Sequence, residues 1–127
     1  MAIGAGGGIA DADDSSVENC KISGNHAGTG GGGIYMGNGG TSMGTLNLAH
    51  TRILHNDAGS LGGGVYSAGA VAAADSTISR NTAHGGGGIY YQAIEGTGSG
   101  VVLTSTAVVH NTPDNCEPPG TIPGCNS

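Results

Sequence analysis

The 127-residue sequence predicts an all-β fold, a parallel β-helix of about four coils, on three observations. A Gly-Gly-Gly marker followed by Ile or Val recurs four times, ending at Ile9, Ile34, Val65 and Ile89. A second marker, a small residue, any residue, Ile or Val, two more and then Asn, follows each, ending at Asn25, Asn56, Asn81 and Asn111. The segments between them alternate apolar or small residues with polar ones, which is the period of a strand rather than of a helix.

The register can be read from the spacing. Gly-triplet ends fall at Gly8, Gly33, Gly64 and Gly88, with periods of 25, 31 and 24 residues. An apolar position, Val17, Leu48, Ala73 or Leu103, lies 8, 14, 8 and 14 residues after the Ile/Val marker. Repeats two and four therefore carry insertions at one point, Gly37 to Thr45 and Gln92 to Gly100. Coils of this length fit one turn of a β-helix, each pairing with the next about 4.8 Å away. Ile22, Ile53, Ile78 and Val108 then stack inside, and the four asparagines form a ladder at a bend. Gly suits tight bends with positive φ. A helical repeat is disfavoured, since each mid-helix Gly costs about 1 kcal/mol and here they come in threes and fours.

Composition excludes other classes. Gly supplies 28 residues without falling at every third position, which excludes collagen. Three Lys+Arg against nine Asp+Glu, for a net charge of -6, leave no cationic footprint for nucleic acid. No apolar run is long enough for a membrane-spanning helix. The large aliphatics are few, but only 9% of residues are charged, so the composition is not that of a disordered chain.

The strings Gly-Gly-Gly-Ile-Tyr and Ser76-Thr77-Ile78-Ser79-Arg80-Asn81-Thr82-Ala83 resemble the Gly-rich right-handed parallel β-helix repeats of bacterial surface proteins. These include polymorphic outer-membrane proteins, autotransporter passengers and pectin-lyase-like domains. The resemblance covers residues 4 to about 115 and implies the right-handed form of the solenoid. It implies adhesin-like roles, or the carbohydrate-active chemistry of lyases and polygalacturonases, whose catalytic signatures are not visible in this chain.

The ends differ. Residues 1–111 read as coils and 112–127 as a cap, which holds all four Pro and two of the three Cys. A disulfide between Cys116 and Cys125 is expected to staple that cap, implying an oxidising, secreted or cell-surface setting. Cys20 falls in the column of Thr51, Ser76 and Thr106 and is expected to be a buried free thiol. Met1-Ala2-Ile3-Gly4 lacks the charged start and apolar stretch of a signal peptide. The first coil has no polar cap, so the chain reads as the C-terminal part of a longer protein, or as one that self-associates through its N-terminal coil.

Outward columns carry the candidate sites. Ala10, Tyr35, Tyr66 and Tyr90 share one; three stacked tyrosines are either a stabilising ladder or a flat aromatic platform for a glycan or other planar ligand. The two insertions flank a notch over coil three beside Tyr66, with Glu95 on the second. Asp11, Asp13 and Asp14 at the equivalent bend of coil one are either a solvated acidic turn or ligands for Ca²⁺. The EF-hand pattern is not completed. His26 with Asp57, His50 with Asp75, and His84 with Asp114 fall side by side on neighbouring coils. Such pairs are cross-strand charge partners or half of a hydrolytic triad, but Ser105 continues the His50–Asp75 column in the wrong order for a relay. Phosphate-loop and calcium nonapeptide motifs are absent.

Two functions follow. The preferred one is a secreted or cell-surface interaction module that binds glycan or a surface partner through Tyr35, Tyr66, Tyr90 and Glu95. The alternative is a small hydrolase or lyase acting on a polysaccharide or an ester- or lactone-like substrate. It would use Asp11, Asp13, His50 and Asp75, with Ca²⁺ as a candidate cofactor.

Overall fold

The structure is a computed structural model, and it describes residues 8–11, 15–36, 45–67, 70–91, 101–117 and 125. The described residues are all-β, without a helix. The first repeat contributes β1 (Ile9–Asp11), β2 (Ser15–Glu18), β3 (Lys21–Ser23) and β4 (His26–Ala27). The second contributes β5 (Ile34–Met36), β6 (Thr45–Ala49), β7 (Arg52–Leu54) and β8 (Asp57–Ala58). The third adds β9 (Val65–Ser67), β10 (Ala70–Ala74) and β11 (Thr77–Ser79), and the fourth adds β12 (Ile89–Tyr91), β13 (Val101–Thr104) and β14 (Ala107–Val109). Last comes β15 (Cys116–Glu117).

Equivalent strands of successive repeats pair in parallel. The first sheet runs β1-β5-β9-β12-β15, the second β2-β6-β10-β13, the third β3-β7-β11-β14, and β4 pairs with β8. Isolated bridges carry that last pairing on from Asp57 to Thr82 and from Thr82 to Thr112. Parallel pairing thus continues past residue 111, to Cys116 beside Ile89 and Glu117 beside Tyr90.

Three inward columns build the core. Ile34, Val65 and Ile89 stand in register in the first sheet, Leu48 and Ala73 in the second, and Ile53 and Ile78 in the third; all are nearly inaccessible. Full burial of one such side chain contributes about 1.5–3 kcal/mol. The interior is thin. A Cβ on Gly64, last of its triplet, would stand 2.9 Å from Ile78 Cγ2 and 3.0 Å from Asn81 Nδ2. The triplet glycines therefore let the first sheet lie directly against the isoleucine and asparagine columns. Chain that supplies little bulk packs by bringing backbone close to side chain.

Two polar ladders close the bends. The Asn56 Nδ2 group donates to Asn81 Oδ1 at 3.0 Å and to the Ile22 carbonyl at 3.0 Å. Its backbone N–H donates to the same Asn81 Oδ1 at 2.9 Å. Asn25 and Asn81 repeat this pattern towards Asn56 and Asn111. Asn115, only four residues on, accepts from both nitrogens of Asn111 and ends the ladder. In the second ladder the Ser76 hydroxyl donates to the Ala74 carbonyl at 2.8 Å and accepts the Thr51 N–H at 3.2 Å. Among the described residues no buried side-chain nitrogen or oxygen lacks a partner.

Cys20 occupies this second column but is exposed, contrary to the expected burial. Its thiol donates to the Glu18 carbonyl at 3.1 Å, as its column-mates do two residues back. The difference arises because, among the described residues, β2 and β3 have a neighbouring layer on one side only. Cys116 and Cys125 are bonded, with Cα atoms 6.3 Å apart across nine positions. Closing a loop of that length contributes about 2–3 kcal/mol.

The two sharp bends flanking the third sheet use left-handed backbone. Asn19, His50, Asp75 and Ser105 have φ of 53°, 50°, 49° and 46°. Gly24, His55, Arg80 and His110 have 68°, 55°, 56° and 58°. Asn, Asp and His tolerate this region better than most residues, which accounts for much of the choice. Gly31, Gly62 and Gly86 make a third such column, so only one residue of each of these three triplets is needed for its φ.

Candidate functional site

Strands β5, β9 and β12 share one burial pattern, with both flanking residues inward and the central tyrosine outward. Tyr35, Tyr66 and Tyr90 are accordingly register partners. Their ring centroids lie 5.0 and 5.4 Å apart, with planes 7° and 8° from parallel. The rings therefore turn their faces to one another and their edges outward. Of the two readings of this column, the stacked rings are the arrangement of a ladder rather than of a flat platform, because parallel strands hold equivalent rings one layer apart. Both faces of Tyr66 are covered, while Tyr35 meets Ala10 and Tyr90 meets Glu117 at the backbone level. The fourth tyrosine, Tyr91, points inward and is buried in the core.

The Tyr66 phenol is held above its ordinary value near 10.0, first by partial burial and then by the charge Tyr35 and Tyr90 would carry. A raised phenol favours the protonated folded state, so its contribution is complete below the pKa of the unfolded chain. It is lost as pH climbs from there through the folded value. Denaturant midpoints should thus fall on going from about pH 8 to about pH 11, and Tyr66→Phe should lose less over that interval. Equal losses in both proteins would disprove the linkage.

Beside the ladder is a recess of about 210 Å³ lined by Thr29, Gly30, Tyr35, Ser60, Leu61 and Tyr66. Thr29 and Ser60 are neighbours on successive layers, the Ser60 N–H donating to the Thr29 carbonyl at 2.7 Å. Both are exposed. Gly30 opens the hollow: a Cβ there would stand 3.3 Å from Tyr66 Cδ2 and 3.1 Å from the Leu61 carbonyl. The lining joins two hydroxyl-bearing residues, two tyrosines and one leucine, a mixture suited to a single small polar ring. Sequence reading missed Thr29, Ser60 and Leu61, although Leu61 is the one large apolar residue in these Gly-rich turns.

The other candidates are dispersed. Asp11 ends β1 in the first sheet, whereas His50 and Asp75 follow the far ends of β6 and β10 in the second. The length of those strands, roughly 16 Å for five residues, separates Asp11 from that pair. His50 and Asp75 stand in one bend column, but the ion pair found within 4 Å among the described residues is His26–Asp57, at 2.6 Å and half exposed. The Asp114 carboxylate accepts the Gly86 N–H at 2.8 Å and makes no ion pair with His84. It thereby takes the place that carbonyls of Leu61 and Gly85 fill for Gly31 and Gly62. Asp13, Asp14 and Glu95, with most of both insertions, lie outside the described residues. Among the described residues no three His, Cys, Asp or Glu side chains group as metal ligands.

Protein-family models, curated proteins and solved structures return no match to this chain. No helix among the described residues is long and apolar enough to cross a membrane. The function must be argued from the site itself.

Proposed function

We propose that this chain is a right-handed parallel β-helix of the Gly-rich bacterial surface type, closed by a C-terminal cap, that is secreted or surface-displayed and binds glycan. The observation that carries the reading is the recess lined by the hydroxyl-bearing Thr29 and Ser60, by Leu61 and by Tyr35 and Tyr66. A sugar ring offers hydroxyls to the first two and C–H groups to the rest. The in-register parallel sheets support the solenoid, because every layer meets its neighbour at equivalent residues. The small recess suits one sugar residue, and the ladder beside it gives room for a chain to extend.

The test is a titration of the labelled protein with a panel of mono- and oligosaccharides, followed by amide chemical shifts. Shifts confined to residues 28–35 and 59–66, and lost in Ser60→Ala and Leu61→Ala, are expected. Ser60 is exposed and Leu61 half-buried, and both substitutions should leave the circular dichroism unchanged. A panel that moves no recess resonance would refute the reading. Turnover of a polysaccharide or ester, abolished by His50→Ala, would replace it with the hydrolase or lyase reading.

A further inference from the structure

We infer that the outer face of the third sheet is a second docking surface, for a sulfated linear glycan, separate from the tyrosine recess. The chain has only three Lys and Arg, and all three lie on this sheet or on the bend that follows it. Lys21 and Arg52 are exposed register partners on β3 and β7. Arg80 follows β11, one layer further on, in the bend column of His55 and His110. No carboxylate lies within 4 Å of any of the three among the described residues, where the ion pair found is His26–Asp57. Glu18, Asp57, Asp75 and Asp114 are the described acidic side chains, and none of them pairs with a Lys or Arg.

Like charges directly opposite across a parallel pair cost stability. A neighbouring acid would remove that cost, and none is supplied among the described residues. The arrangement is explained if the counterion comes from outside. Successive layers place Lys21 and Arg52 about 4.8 Å apart, so one tetrahedral oxyanion ester, with its terminal oxygens, can accept from both at once. Exposed Ser23 and half-buried Thr77 flank the cations with hydroxyls. This face has no aromatic residue to anchor in a bilayer or to stack a nucleobase, which favours a sulfated sugar chain over lipid or nucleic acid. The overall charge of -6 does not forbid it. At physiological ionic strength the Debye length is about 8 Å, so the local patch governs contact.

The experiment is binding of the intact chain to dextran sulfate, unmodified dextran, polyphosphate and phosphatidylglycerol vesicles, at low and at physiological salt. Dextran sulfate should bind, weaken with salt, and outcompete the other three. The double variant Lys21→Ser/Arg52→Ser should bind it roughly tenfold less, the loss expected of two exposed charge contacts. It should also unfold at the same or higher denaturant, because the like-charge pair is gone. Ser60→Ala should bind dextran sulfate normally, which separates this face from the recess. Absence of dextran sulfate binding, undiminished binding by the double variant, or equal binding of polyphosphate or vesicles would each overturn the inference.

Discussion

Replacing Asn81 with Ala is expected to cost about 3–6 kcal/mol, a large share of the roughly 5–15 kcal/mol total of a domain. Asn81 is fully buried. Its Oδ1 accepts both the backbone N–H and the Nδ2 of Asn56, while its own Nδ2 donates to the Ile53 carbonyl and to Asn111 Oδ1. Alanine leaves two Asn56 donors and one carbonyl partner stranded where water cannot reach. Each stranded group costs about 1–3 kcal/mol, well above the net value of a hydrogen bond that water can replace. Asn25 provides the internal comparison. It stands at the first rung, partly exposed, and among the described residues its amide only donates, to Asn56. Asn25→Ala should therefore cost about 1 kcal/mol. Urea denaturation of both variants checks the ranking, and equal small losses would show that the ladder is not what holds the bend.

Gly63→Ala is expected to prevent folding or to cost more than about 4 kcal/mol. A Cβ at this position would lie 2.4 Å from the Thr82 carbonyl oxygen, 2.5 Å from that of Gly87 and 2.6 Å from the Thr82 nitrogen. All three are backbone atoms already engaged between layers. The Thr82 nitrogen donates to the Asn56 carbonyl at 2.8 Å, and its carbonyl accepts the Ala58 N–H at 2.9 Å. No rotamer change relieves such a contact, so two layers must separate and their bonds must break. Gly24→Ala is the contrasting case. Nothing lies within 4 Å of its Cβ position, and the cost there is the positive φ of 68° alone. The same column carries His55, Arg80 and His110. A loss of about 1 kcal/mol is expected at Gly24. Circular dichroism and urea midpoints distinguish the two glycines; similar modest losses at both would contradict the close-approach argument.

These two substitutions also mark the boundary between text and structure. The Gly-triplet and Asn periods were sufficient to align Tyr35 with Tyr66 and Tyr90, Ile53 with Ile78, and His26 with Asp57, and each alignment is a backbone pair in the sheets. Parallel in-register stacking turns a one-dimensional period directly into a contact, so residues one period apart can be paired on paper. Asn115 escaped that reading because it closes the ladder from four residues away rather than from one repeat. The unneeded φ freedom in two of the three glycines of each described triplet escaped it too, since close approach between layers leaves no mark in a period.

What the amino-acid order determined by itself, then, was which residues meet from layer to layer, because that depends only on counting along a repeating chain. The three-dimensional arrangement alone decided how they meet. The tyrosine rings stack face to face, since a layer spacing near the thickness of a ring leaves only their edges free. Thr29, Ser60 and Leu61 come round a Gly-rich turn to the side of that ladder, and Cys20 is bare because its layer is an outer one among the described strands of its sheets. Orientation at a bend and coverage at an edge depend on what lies above, below and around the corner, and those neighbours exist only once the chain has folded.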